Sequence, residues 1–142
     1  MINRTTIVES MDNIVRTIKD NTTQERWLSV MPEKLTTTKT IAIASDDKSF
    51  EKMVTMFMSI FKNVKFEKPN YDVKSMHKII TCMNNENAYN HWIYIVPDGA
   101  DDKELDEISK NKELRIESSE LFVKLCNRYF RDGLYIDNEL YL

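Results

Sequence analysis

Glycine and proline are scarce, with two and three copies in 142 residues. A phosphate-cradling loop needs several glycines whose backbone N–H groups converge, so the isolated Gly99 and Gly133 exclude a P-loop, and flexible linkers are equally unexpected. Cysteine is as rare. Cys82 and Cys126 each fall inside an apolar helical pattern, whereas a disulfide framework needs more cysteines and a secretory setting. Long apolar runs are missing too. The longest, Met53 to Phe61, includes Thr55 and Ser59 and falls well short of the roughly 20 residues of a spanning helix. Met1 to Thr6 shows no apolar signal core, so the expected setting is intracellular, cytoplasm or nucleus, away from membranes. Positive charge is not in surplus either: 20 Lys and Arg against 23 Asp and Glu give −3. That balance excludes a non-specific DNA coater and leaves room only for a local basic face.

What is present has a globular composition, 42 % hydrophobic and 30 % charged, at a length suited to one domain. Ile7, Met11, Ile14, Val15 and Ile18 recur at helical spacing, predicting a helix over about 8–20, with a short second one from Gln24 to Val30. Residues 1–35 are thus expected as a helical segment packed on an α/β body spanning 36–142. In that body Thr40-Ile41-Ala42-Ile43-Ala44 reads as a β-branched strand, Phe50 to Phe61 as a helix, and Val64-Lys65-Phe66 as a strand. Asp72 caps a helix running to Met83. His91-Trp92-Ile93-Tyr94-Ile95-Val96, almost continuously apolar, predicts a central strand covered on both faces. Asp101 or Asp102 caps a helix through Ile108, Leu114-Arg115-Ile116 reads as a further strand, and Leu121 to Tyr129 as a last helix, although Leu121 to Leu125 also suits a strand. After Asp132-Gly133, Leu134-Tyr135-Ile136 begins an apolar end. The alternation predicts an α/β fold: a mainly parallel central sheet of about four strands with helices on both faces.

Reactive constellations are few. His77 and Cys82 are five apart on a helix, which does not place them on one face, and His91 and Cys126 stand alone, so no zinc ligand set and no other cofactor is expected. No glycine-flanked cysteine or serine marks a nucleophile elbow. Asp46-Asp47 and Asp101-Asp102 stand where helices need caps; a nuclease of the restriction-endonuclease type places an acid before a strand and Asp/Glu-x-Lys at its end, an arrangement that Glu67-Lys68-Pro69 and Asp101-Asp102-Lys103 do not reproduce. Lys124, Arg128 and Arg131 are spaced by four and three and share one face of a helix, beside Tyr129 and Phe130. They are the candidate contacts to phosphate or an acidic partner, although a solvated helix face is the commoner explanation of such a cluster.

One stretch resembles a known family. Val73-Lys74-Ser75-Met76 leads to Met83-Asn84-Asn85-Glu86-Asn87, then Trp92-Ile93-Tyr94-Ile95-Val96, then Leu114-Arg115-Ile116 and Glu120-Leu121-Phe122, after Val64-Lys65-Phe66 and Pro69. This order is similar to the N-terminal jaw domain of the fifth subunit shared by eukaryotic nuclear RNA polymerases, and to its counterparts in large DNA viruses. The likeness covers about half the chain. The family's segment after that step is replaced by Asn127 to Asp132, and its C-terminal assembly domain has no counterpart. A second resemblance is to a BRCT domain, through Ser119, Phe122 (where that family has Trp), Cys126, Gly133, Asp137, Tyr141 and Leu142. The first implies a non-catalytic, viral-type subunit of a DNA-directed RNA polymerase, a jaw-like wall touching duplex DNA through phosphates. The second implies a protein-interaction domain in DNA repair or replication, and a divergent nuclease-fold enzyme is the third expectation. The first two agree on a chain without a catalytic centre, whose partners are other subunits of a larger complex.

Overall fold

A computed structural model describes residues 3–62, 64–66, 72–83 and 86–130. Among them the chain forms eight helices and no strand: α1 (Arg4–Thr17), α2 (Asn21–Leu28), α3 (Thr37–Ser45), α4 (Asp47–Phe61), α5 (Val73–Cys82), α6 (Glu86–Trp92), α7 (Asp102–Lys110) and α8 (Lys112–Phe130). The expected parallel sheet is therefore replaced by helix packing. Thr40 to Ala44 lies inside α3, where the Thr36 side chain caps the helix by accepting from the Lys39 N–H. Only Thr40 and Ala44, four residues apart, are buried, while Ile41 is 52 % exposed. A strand sheltered on both faces would hide the whole run.

The presumed central strand fails in the same way. His91 and Trp92 end α6, and the N–H groups of Ile95 and Val96 both donate to the Trp92 carbonyl at 3.0 Å, curling the chain. Trp92 and Val96 are fully buried, whereas Tyr94 is 88 % exposed. Burial thus recurs every fourth residue, the repeat of a helix, instead of every residue or every second one. Leu114 to Ile116 sits within α8, and Val64 to Phe66 has no regular structure. The apolar end that begins at Leu134 lies outside the described residues.

Helix starts follow side-chain caps. Asn3, Asp20, Asp46, Asp72 and Asp101 each accept a hydrogen bond from a backbone N–H in the first turn of the helix they precede, satisfying donors that have no intrahelical partner. Gly99, at φ +75°, reverses the chain ahead of α7, a conformation in which any Cβ is strained.

Helix α1 lies most extensively against α5 and also touches α2, α3 and α4; α8 packs on α4, α5, α6 and α7. Helices α4 and α5 therefore join the two groups. Through the middle runs a chain of buried rings: Trp27 to Phe57 at 6.4 Å, Phe57 to Phe122 at 6.2 Å, and Phe122 to Trp92 at 6.4 Å between centroids. All three contacts are edge-on, the arrangement aromatic quadrupoles favour. Among the described residues no helix is long and apolar enough to cross a membrane.

Candidate interaction surface on the last helix

Helix α8 brings two of the three singled-out cations together. Lys124 and Arg128 are both exposed and one turn apart, and neither has a hydrogen bond or ion pair among the described residues; Arg131 lies outside those residues. The buried face of α8, with Phe122, Leu125 and Cys126, fixes which way this pair looks. A turn earlier the exposed positions are acidic, at Glu113, Glu117 and Glu120. Acid toward the N-terminus and base toward the C-terminus suits the helix dipole, which accounts for part of the pattern without any ligand.

Beside Arg128 the helix meets α6 along a narrow crevice lined by Asn87, Ala88, His91, Leu125, Arg128 and Tyr129. Its space, about 10 Å³, admits a single water or the tip of a methyl group. Tyr129 is held by donating its hydroxyl to the Met83 carbonyl at 2.8 Å and by edge-on contact with Phe130. His91 is oriented by a 2.7 Å contact between its Nδ1 and the Asn87 carbonyl oxygen. The sequence reading missed this crevice because it placed His91 in a strand. The signal that would have found it is the spacing of four linking Ala88, Trp92 and Val96, all buried.

A second cleft, open and polar with about 590 Å³ of space, runs along α1 and α5, between Thr6, Glu9 and Asn13 on one side and Asp72, Ser75 and Lys78 on the other. Three of its groups bind each other. Asn13 Nδ2 donates to Asp72 at 2.6 Å and to Ser75 Oγ at 2.7 Å, and Ser75 Oγ donates to the same carboxylate at 3.0 Å. Lys74 pairs with Asp102 at 2.7 Å, which raises the lysine and lowers the carboxyl from their ordinary values.

The acidic pairs weighed for a nuclease are spoken for as well. Asp46 caps α4 and accepts from the Ser49 N–H and hydroxyl, which hold its carboxyl below the usual range, while Asp47 pairs with Arg4 at 2.7 Å. Asp101 caps α7. Burial pushes the Cys82 thiol up and the fully enclosed Cys126 thiol further still, the opposite of what a nucleophilic thiolate needs. Among the described residues no three His, Cys, Asp or Glu side chains gather as a metal-binding group. His77, half-buried, accepts from the Trp92 indole at Nδ1 over 3.0 Å and serves the core.

Compared with known proteins, the chain matches no family model, no curated protein and no solved structure.

Proposed function

We propose that this chain is a non-catalytic, all-helical interaction module that works within a larger assembly and meets its partner at the C-terminal end of α8. The observation that carries this reading is the pair Lys124 and Arg128, exposed and unengaged, with Arg128 beside a narrow crevice that the partly exposed Tyr129 helps to line. The acidic pairs and His77 weighed for chemistry are instead engaged in caps, ion pairs and a bond to a buried indole. Charges without internal partners are where recognition gains at the lowest desolvation cost, because nothing has to be broken first.

The polymerase resemblance drew on segments between Val64 and Ile116 expected as strands, which are helices or irregular here, and the BRCT resemblance on residues from Ser119 onward that lie partly outside the described residues. The proposal therefore keeps only what they share, a scaffold role among other subunits. A direct test is copurification from the native source with the wild-type chain and with a Lys124→Glu/Arg128→Glu variant, after circular dichroism shows both equally helical. Proteins present with the first and missing with the second are the expected outcome, and polymerase subunits among them would favour the jaw-like role. Identical sets would dispose of the α8 surface as the contact.

A further inference from the structure

Resting on that reading, the geometry points to an acidic peptide segment as the occupant of the α6–α8 edge: two carboxylates one helical turn apart, with a small apolar residue between them. Lys124 and Arg128 are four residues apart on α8, so their Cβ atoms are separated by about 6 Å, the same interval as two carboxylates at i and i+4 of a partner helix. Arg128 presents a planar fork suited to bidentate carboxylate binding, and Lys124 a mobile point charge. Beside Arg128 lies the crevice, with Ala88, Leu125 and Tyr129 in its lining. Its narrowness selects a methyl-tipped side chain, such as alanine, threonine or valine, over a large anchor.

Duplex nucleic acid fits less well. A duplex carries about one charge per 1.7 Å over many ångströms, and along α8 it would meet Glu113, Glu117 and Glu120 directly beyond the two cations. A short acidic segment ends before that acidic stretch, and the net charge of −3 supplies no wider basic field to hold a polyanion. With so shallow a crevice, binding is carried by charge. It is weak, fast to form and strongly sensitive to salt.

The experiment is selection of random 16-residue peptides displayed on phage against the full chain, followed by titration of the enriched peptides into wild type and Lys124→Glu/Arg128→Glu. The expected result is enrichment of acidic residues spaced by four around a small apolar residue. Affinity should fall about tenfold or more on the double reversal, and amide shifts should be confined to 87–91 and 124–129. A Leu125→Phe variant, which fills the crevice and leaves both charges, should weaken the same peptides while preserving their salt dependence. Peptides that bind wild type and variant equally would overturn the acidic occupant yet leave an interaction module standing elsewhere on the surface. No enriched peptide at all, in a chain that also fails to lose partners on charge reversal, would overturn both. Tighter binding of a duplex oligonucleotide than of any acidic peptide, abolished by the same reversal, would replace the peptide with phosphate.

Discussion

At Asp12 a carboxylate that is only 7 % exposed accepts from the Trp27 indole at 2.7 Å and from Arg16 Nε at 2.9 Å. Arg16 then donates to the Pro32 and Glu33 carbonyls, both at 2.7 Å. One acid thus secures the α1–α2 corner and the chain leaving α2. Asp12→Ala strands a buried indole N–H and frees the arginine, and should cost about 3 kcal/mol in urea unfolding. Asp12→Asn keeps an acceptor for Trp27 and should lose about half of that. His77 sets a different condition. Because its Nδ1 accepts from Trp92, the ring is neutral with its proton on Nε2. Burial lowers its pKa, against a smaller opposing pull from Asp98. The unfolded chain then takes the proton first on acidification, so stability is full above the ordinary histidine value of about 6.5 and declines below it. The decline stops once the folded ring is protonated as well. Melting temperatures from about pH 7.5 to about pH 5 should show this step, and His77→Gln, which keeps an acceptor without titrating, should flatten it. Superimposable profiles for the two proteins would remove His77 from the account.

Among the elements, α5 shows what a cap contributes when it also reaches a neighbour. Asp72 accepts from the Lys74 N–H at 3.0 Å and from Asn13 of α1 at 2.6 Å, so it starts one helix and ties it to another. Asp72→Ala should destabilise by about 2 kcal/mol, more than an exposed cap of the same type, as read from the denaturation midpoint. This cap was legible in the sequence, as were α1, α4, α5 and α7, because acidic caps and apolar 3.6-residue spacing coincide there. Two of the four missed segments failed for a common reason. Thr40 to Ala44 and His91 to Val96 are short and rich in β-branched or aromatic residues, and strand preference over so few residues is overridden by packing. Thr40 and Ala44 face inward together on a helix that packs on α1, and Trp92 finds its place against Phe122. Leu114 to Ile116 was misread because it was taken apart from the helix that continues it to Phe130. Of the candidate surface, the spacing of Lys124 and Arg128 was readable from the start. The crevice was not, since it depends on α6 being a helix.

For the whole molecule the sharpest check of the architecture is far-UV circular dichroism, which should show the double minimum expected of the eight helices of the described residues. Phe122 is the side chain on which the two groups of helices converge, touching the rings of Phe57, Phe61 and Trp92. Phe122→Ala should cost about 3–5 kcal/mol, and the loss should appear equally in probes placed near α1 and near α8.

Both tryptophans are sealed from water, and each indole nitrogen touches an ionisable neighbour, Trp27 with Asp12 and Trp92 with His77. They stand at opposite ends of the ring chain, so Trp27→Phe and Trp92→Phe leave one native fluorophore apiece, each reporting on a different end of the bundle. If their emission changes at the same urea concentration, the eight helices melt as one body. If the Trp92 signal goes first as the solution turns acid, the α6–α8 end can loosen alone, and the proposed contact edge would carry its own acid-triggered release.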